Sequence, residues 1–249
     1  MHRFFLPPDA LLSDTPGLEG DEAHHCLNVL RHGPGDKIVV FDGRGNEATA
    51  QIESADKRRA ALRILHRAKS APVACRLTLA QAVPKGKNMD LIIEKAVELG
   101  AAAIVPLLSE RTVVQLDADE LASKKLKWET VAREACKQCG QNWLPEVAMP
   151  VSPKTFFEQQ RPKGLLLIAS LQNDSRPIKQ VLADHVAQHG PVSEVTILVG
   201  PEGDFTPAEI GLAKGHGCQP VTLGPIILRT ETAAIYCLSV LGHELFSAS

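Results

Sequence analysis

Two segments near the carboxyl end place small and charged residues next to apolar runs. Residues 198–205 read Leu-Val-Gly-Pro-Glu-Gly-Asp-Phe, and residues 223–233 read Leu-Gly-Pro-Ile-Ile-Leu-Arg-Thr-Glu-Thr-Ala. Glycines in the first segment would let the backbone approach a ligand closely, and Arg229 and Glu231 add charge in the second. We predict that the segments follow neighbouring strands, the second ending at Ile226–Leu228. Loops at adjacent strand ends would form one ligand-binding crevice.

The first loop leads into a helix with a clear start signal. Thr206 and Glu209 have the spacing of a capping box, and Pro207 takes the first helical position. The sequence has no Gly-x-x-x-x-Gly-Lys-Ser/Thr loop, no Gly-x-Gly-x-x-Gly after the first strand, and no Gly-x-Ser-x-Gly. These absences argue against a P-loop enzyme, an ordinary dinucleotide-binding domain and an α/β-hydrolase.

Composition is that of a globular protein with one or two domains. The 249 residues are 44% hydrophobic and 22% charged, which is ordinary for such a chain. No apolar run approaches the roughly 20 residues of a membrane helix, and the first residues lack signal-peptide features. Six cysteines without regular spacing favour reduced thiols. We therefore expect a cytoplasmic protein without a membrane partner.

Local charge indicates a surface for phosphates although the formal net charge is −2. Basic residues concentrate between positions 57 and 69, again at Lys85 and Lys87, and again between positions 124 and 127. Any one cluster could be a solvated face. Several clusters on a mildly acidic chain make a localised nucleic-acid surface plausible.

The pattern of the chain changes near residue 70. Residues 1–70 predict short strands, a hairpin and one helix over Glu22–Leu30, which suits a small β-barrel. Residues 70–72 read as a linker. Residues 73–249 alternate strand and helix, which predicts an α/β domain with a mainly parallel sheet.

Metal-binding signals are weak. Cys136 and Cys139 have the Cys-x-x-Cys spacing of zinc and redox sites, but no second pair exists. His185 and His189 are four residues apart on a predicted helix, with no acidic third ligand nearby in sequence. We expect no metal.

The two carboxyl-terminal segments together resemble the signature of the ribosomal RNA small-subunit methyltransferase E family, within the SPOUT superfamily. Further similarity runs along nearly the whole chain in the right order: Arg3-Phe4-Phe5, His25 to Asp36, Glu94 to Gly100, Glu110-Arg111 and Glu134 to Gly140. The resemblance implies a carboxyl-terminal trefoil-knot domain and an amino-terminal PUA-like barrel. It also implies S-adenosylmethionine as cofactor, N3 of one uridine in small-subunit ribosomal RNA as target, and a homodimer.

The resemblance also implies catalytic, cofactor-binding and RNA-binding roles for particular residues. Arg229 would stabilise negative charge on the uridine or hold its phosphate, with Glu202 and Glu231 orienting the cofactor or Arg229; alternatively, an ion pair of Arg229 with either glutamate merely fixes the loop. The expected cofactor-binding residues are Leu171, Leu198, Val199, Gly200, Gly203, Leu223, Gly224, Ile227, Leu228 and Thr232. The expected RNA-binding residues are Arg3, His25, Arg31, Arg58, Arg59, Lys85, Lys87 and Arg111.

Some positions depart from the family pattern. Asp204 stands where the family usually has a second glycine, and Ile226 where arginine is common. Gln141 and Trp143 stand where arginines usually follow the Gln-x-Gly that ends the middle helix. Two other functions therefore remain open: a non-catalytic RNA-binding assembly factor, and an unrelated α/β nucleotide-binding enzyme. An apolar stripe at Ile235, Leu238, Leu241 and Leu245 could serve a dimer or the protomer's own core. The substrate could be free RNA or the assembled subunit.

Overall fold

A computed structural model describes residues 1–56, 58–86, 88–112 and 117–246. Contacts divide the chain into two compact units. The first contains Met1–Pro72 and Arg133–Leu144, and the second contains Val73–Ala132 and Pro145–Ser249. The division after Pro72 falls at the expected linker, and segment 133–144 packs with the first unit. The domain bounds 1–70 and 73–249 stay predictions.

The first unit is built around a five-stranded sheet. Its elements are β1 Arg3–Phe5, α1 Pro8–Leu12, β2 Gly17–Glu19, α2 Gly20–His24, a π-helical turn His25–Val29, β3 Lys37–Phe41, β4 Asn46–Ala55 and β5 Arg59–Lys69. The strand order is β1-β3-β4-β5-β2, with β1 parallel to β3 and the other pairs antiparallel. All five strands send side chains into one core, including Phe4, Leu18, Ile38, Ile52 and Leu62. The predicted hairpin and helix are confirmed. The elements β1, β2 and α1 are too short to be predicted from their residue patterns.

The second unit has a seven-stranded sheet in which every strand pair is parallel. Its elements are β6 Arg76–Ala82, α3 Asn88–Glu98, β7 Ala103–Leu107, α4 Ala118–Cys139, β8 Glu146–Val147, α5 Pro153–Thr155 with a π-helical turn Phe156–Gln160, β9 Leu165–Ala169, β10 Arg176–Pro177, α6 Ile178–His189, β11 Glu194–Val199, α7 Pro207–Gly215, β12 Gln219–Thr222 and α8 Thr230–Phe246. The part of α4 from Arg133 onward belongs to the first unit. The order is β10-β12-β9-β11-β6-β7-β8. Residues in β7 and β9 are buried throughout, as expected for strands covered on both faces. The α/β class with a parallel sheet is confirmed, and the trefoil knot stays an expectation from the resemblance.

Two details of the predicted crevice are wrong. The strand before the second loop is β12, which ends at Thr222, and Ile226–Leu228 lies in the loop. Gly224 has φ +112°, and Pro225 has no N–H to donate to a ladder, so the strand cannot continue through them. In addition, β11 and β12 are not neighbours, because β9 lies between them and pairs with both.

The predicted capping box at the start of α7 is formed, and a second one starts α4. The Thr206 hydroxyl accepts a hydrogen bond from the Glu209 N–H, and the Glu209 carboxylate accepts one from the Thr206 N–H. Asp117 and Glu120 make the same exchange at the start of α4. These local rules fix where the two helices begin. None of the helices in the described ranges is long and apolar enough to span a lipid bilayer.

Candidate active site

Three loops and one helix start surround a cleft at the carboxyl edge of the second sheet. The loops follow β9, β11 and β12, and the helix is α8. The space between these elements, open solvent at the mouth included, is about 580 Å³. The lining residues are Ala169, Ser170, Leu171, Val199, Gly200, Pro201, Glu202, Asp204, Leu223, Gly224, Ile226, Ile227, Leu228, Thr230 and Ala233.

A buried polar network lies at the cleft wall. The Gln81 side chain, at the end of β6, is fully buried, and its Nε2 donates to Thr230 Oγ1 at 3.0 Å and to the Ala82 carbonyl at 2.8 Å. Thr230 Oγ1 in turn donates to the Gly200 carbonyl at 2.7 Å. The network therefore joins three elements that are distant in sequence: β6, the loop after β11 and the start of α8.

Hydrogen bonds also shape the loop after β11. The Asp204 N–H donates to the Pro201 carbonyl at 2.9 Å, which closes a tight turn. Glu202 Oε1 accepts from the Lys85 N–H at 2.9 Å, and Arg111 Nη1 donates to the Gly203 carbonyl. Glu202 and Arg111 thus anchor this loop to the loops after β6 and β7.

Arg229 is the cation nearest in sequence to the cleft, between the lining residues Leu228 and Thr230. Its side chain is exposed, and within the described part of the chain the guanidinium has neither a hydrogen bond nor an ion pair. The expected alternative, an ion pair with Glu202 or Glu231 that fixes the loop, is not formed in this structure. An unpaired guanidinium is available to an anionic group of a substrate.

Seven of the expected cofactor-binding residues line the cleft: Leu171, Val199, Gly200, Leu223, Gly224, Ile227 and Leu228. Leu198, Gly203 and Thr232 do not line it. Leu198 points into the core, Thr232 is exposed on α8, and Gly203 faces Arg111, whose Cδ would lie 3.4 Å from an added Cβ. Side chains alternate between faces along a strand, so Leu198 packs in the core while Val199 lines the cleft. The expected cofactor contacts of Leu198, Gly203 and Thr232 stay predictions.

Sequence reasoning missed several lining residues and the network behind them. Ser170 and Ala169 belong to the loop and strand between the two expected ones, a position set by strand order. Gln81 and Thr230 interact across 149 positions, so no local pattern could pair them. Polar residues inside otherwise apolar strands, such as Gln81, are the one signal that could have drawn attention to this wall.

The cleft fits an uncharged aromatic ring joined to polar and cationic groups. Leu223, Ile227 and Leu228 offer apolar surface, and the strand ends offer backbone groups. At Gly200 an added Cβ would lie 3.1 Å from both Asp204 Oδ1 and the Phe205 nitrogen, so the absence of a side chain lets the loop fold closely on itself here. Both charged lining residues among those described, Glu202 and Asp204, are acidic. This combination of apolar surface, backbone groups and carboxylates suits an adenosine with a positively charged substituent, as in S-adenosylmethionine.

The expected RNA-binding residues of the first unit differ in availability. Arg3 lies over the Phe41 ring and hydrogen-bonds Glu47 at 3.0 Å and Asn142. Burial alone would raise the pKa of Glu47, but the hydrogen bonds from Arg3 and Asn142 lower it. Arg3 therefore has a structural role in this unit, and its expected contact with RNA stays a prediction. The His25 ring lies 3.4 Å from Lys137 Nζ and is half-buried.

Exposed arginines are better placed to bind RNA. Arg58 lies in the turn between β4 and β5, and Arg59 begins β5. The Arg59 side chain donates to the Thr15 carbonyl at 3.1 Å and pairs with Glu19 at 3.5 Å. In the second unit, Arg111 is bound to the Gly203 carbonyl, and Lys85 is exposed. Lys57 and Lys87 lie outside the described residues.

Arg31 has an unusual backbone conformation. Its φ is +58°. It comes after Leu30, the residue that caps the π-helical turn, and the next N–H, that of His32, donates to the Cys26 carbonyl. This is the helix-ending position that normally favours glycine. An arginine kept there at a conformational cost is consistent with a use for its exposed side chain.

Replacing Arg31 with glycine should change stability and RNA affinity in opposite directions. Relief of the left-handed conformation, less the added chain entropy of glycine, should stabilise the fold by about 0.5–1 kcal/mol. Loss of a cation should weaken RNA binding and reduce its salt dependence. Thermal melts and RNA titrations at several salt concentrations would measure both.

Arg58→Ala is the matched control, because Arg58 binds Asp56 through its backbone N–H rather than its side chain. This variant should weaken RNA binding without raising the melting temperature. Unchanged RNA affinity in Arg31→Gly would mean that Arg31 only ends the helical turn and does not bind RNA.

The Cys-x-x-Cys spacing does not form a paired site. Cys136 is buried and its Sγ faces the Trp143 carbonyl, whereas Cys139 is exposed. Burial raises the pKa of the Cys136 thiol to about 12, so it is an inert core residue at neutral pH.

Comparison with known proteins defines the class. A model of the RNA methyltransferase domain matches residues 70–242, and a model of the RNA methyltransferase PUA domain matches residues 18–65. The cleft at the strand ends therefore belongs to an RNA methyltransferase domain, and the five-stranded sheet to a PUA domain.

Relatives narrow the class to one family. A Synechocystis ribosomal RNA small subunit methyltransferase E is 33% identical over 248 residues, which cover 99% of this chain and 78% of the relative. The Neisseria gonorrhoeae enzyme of that name, solved with S-adenosylmethionine, is 32% identical with a TM-score of 0.88 and covers 100% of both chains. A Legionella pneumophila methyltransferase solved with the same cofactor is 34% identical with a TM-score of 0.88, covering 98% of both chains.

This chain belongs to the ribosomal RNA small subunit methyltransferase E family. The resemblance drawn from the sequence is confirmed. The relatives are named as enzymes, so neither the non-catalytic assembly factor nor the unrelated nucleotide-binding enzyme is supported.

Proposed function

We propose that this protein transfers a methyl group from S-adenosylmethionine to N3 of a uridine in small-subunit ribosomal RNA. The observation that carries the proposal is the cleft at the ends of β9, β11 and β12, whose charged lining residues are acidic. Beside it lies Arg229, whose guanidinium has no partner among the described residues. Family membership supports the reaction class, and the cofactor-bound relatives support the cofactor.

Bound S-adenosylmethionine supplies an electrophilic methyl group on a sulfonium sulfur. The residues of this chain then have three tasks: to hold the cofactor through the three loops, to position the uracil, and to ease loss of the proton from its N3. A neutral uracil N3 carries that proton and attacks poorly. A cation at Arg229 would favour the deprotonated base, because it stabilises the negative charge that spreads over the ring. Positioning contributes the rest, since the reaction is an in-line displacement.

Mass spectrometry of ribosomal RNA tests the proposal directly. RNA from cells lacking the gene should have lost one N3-methyluridine, and the purified protein with S-adenosylmethionine should restore it in vitro. Supplying naked RNA and assembled small subunits in parallel identifies the substrate form. An unchanged set of methylated uridines in the deletion strain would refute the assignment.

We further propose that the protein acts as a homodimer with the cleft at the subunit contact. The apolar stripe on α8 no longer supports this, because Leu238 and Leu241 are buried within the protomer, where α8 packs on α3, β6 and β11. Support comes instead from apolar side chains at the cleft mouth: Leu171, Ile226 and Ile227 are 62%, 74% and 76% exposed. A second subunit could cover them. Light scattering that reports a monomer at micromolar concentration would reject the dimer.

A cytoplasmic location remains part of the proposal. It rests on the substrate, since ribosomal RNA is modified where ribosomes are assembled, and on free cysteines that form no disulfide among the described residues.

A further inference from the structure

Asp204 is a charged residue in the cleft with an unusual backbone conformation. Its φ is +60°, in the left-handed region where aspartate is tolerated better than most residues. Its Oδ1 accepts a hydrogen bond from the Phe205 N–H at 2.8 Å, and the residue lines the cleft beside Gly200. A glycine would fit this backbone without strain, so the aspartate adds a carboxylate that the loop geometry does not require.

No cation among the described residues neutralises the carboxylate of Asp204. Arg111 Nη1 approaches the loop but donates to the backbone carbonyls of Gly203 and Asp204. No lysine or arginine in the described ranges forms an ion pair with the Asp204 side chain. Its partner is a neutral backbone N–H, so the charge of the group remains directed at the cleft and its solvent.

We propose that Asp204 makes the cleft discriminate by charge between the methylated cofactor and its demethylated product. The inference rests on the proposed function. S-adenosylmethionine and S-adenosylhomocysteine carry the same amino and carboxylate groups and differ by one methyl and one positive charge at sulfur. A negative lining favours the sulfonium form, so Asp204 assists loading of the cofactor and release of the spent product.

The expected size follows from Coulomb's law. Two unit charges about 4 Å apart interact by about 1 kcal/mol even at the dielectric constant of water, which corresponds to about a fivefold change in affinity. We therefore expect Asp204 to contribute about fivefold to the preference for S-adenosylmethionine over S-adenosylhomocysteine.

Isothermal titration of each ligand into the purified protein tests this without any turnover. Asp204→Asn keeps the side-chain oxygen that accepts from Phe205, keeps the tolerance of positive φ, and removes only the charge. It should weaken S-adenosylmethionine binding about fivefold and leave S-adenosylhomocysteine binding unchanged. Asp204→Gly, which keeps the backbone conformation, should give the same ratio. Asp119→Asn, an equal charge removal on α4 outside the cleft lining, should alter neither affinity.

Three results would overturn the inference. An unchanged ratio in Asp204→Asn means that the charge is not sensed. An equal loss for both ligands means that the residue only shapes the loop. A ratio that falls in Glu202→Gln but not in Asp204→Asn assigns the effect to the other carboxylate. If the wild-type protein binds neither ligand, the proposed function itself fails together with this inference.

Discussion

Arg229→Ala should lower single-turnover methyl transfer by a factor of about 10² or more while cofactor affinity and fold are retained. That factor is typical of removing one preorganised group that stabilises developing charge. The guanidinium has no partner to release within the described residues, so its loss should not loosen the loop. A cation beside a positively charged cofactor would also be a poor choice for cofactor binding alone, which points to the RNA as its partner.

The measurement uses saturating RNA and a single turnover, so that weaker RNA binding cannot mimic slower chemistry. Arg229→Lys is the matched control: a retained charge should restore part of the rate if electrostatics dominates, and little if a bidentate contact to phosphate matters. Near-normal transfer by Arg229→Ala would exclude a catalytic role. Unchanged S-adenosylmethionine affinity should accompany the loss.

Gly200→Ala should weaken S-adenosylmethionine binding at least tenfold, about 1.4 kcal/mol. The added Cβ would lie only 3.1 Å from Asp204 Oδ1 and from the Phe205 nitrogen, so these neighbours must give way by a few tenths of an ångström where the loop lines the cleft. Calorimetry measures the affinity, and a thermal melt separates a loop shift from general unfolding.

Gly203→Ala is the matched control for this change. The sequence predicts that Gly203 also touches the cofactor, but its added Cβ would make only an ordinary contact with Arg111 at 3.4 Å. We therefore expect cofactor affinity to stay within about twofold of wild type, below 0.5 kcal/mol. Equal losses in the two variants would place Gly203 at the ligand after all.

Local patterns were sufficient wherever the structure depends on neighbouring residues. The hairpin around β3 and β4, the capping boxes at Thr206 and Asp117, and the glycine and proline loops after β11 and β12 all follow from short-range rules. Because loops at the carboxyl edge of a parallel sheet meet there, the same rules located most of the cleft lining.

Features that depend on long-range pairing escaped prediction. The insertion of β9 between β11 and β12 is decided by the whole sheet, so the contribution of Ser170 was not foreseen. Ile226 and Ile227 have strand-forming side chains, but the preceding Gly224 and Pro225 outweigh that propensity. The packing role of Arg3 was not foreseen either, because its partners Glu47 and Asn142 lie 44 and 139 positions away.

The hydrogen bonds from Gln81 through Thr230 to Gly200 affect whether the loops of the cleft become ordered when the chain folds or only when a ligand binds. Fixing two loops around a ligand costs free energy at the moment of association if the loops are free beforehand. Here the Thr230 hydroxyl already holds the Gly200 carbonyl, and buried Gln81 holds the hydroxyl, so much of that ordering accompanies folding instead. The cleft is thus preorganised, and more of the gross interaction energy of an incoming ligand is retained as affinity.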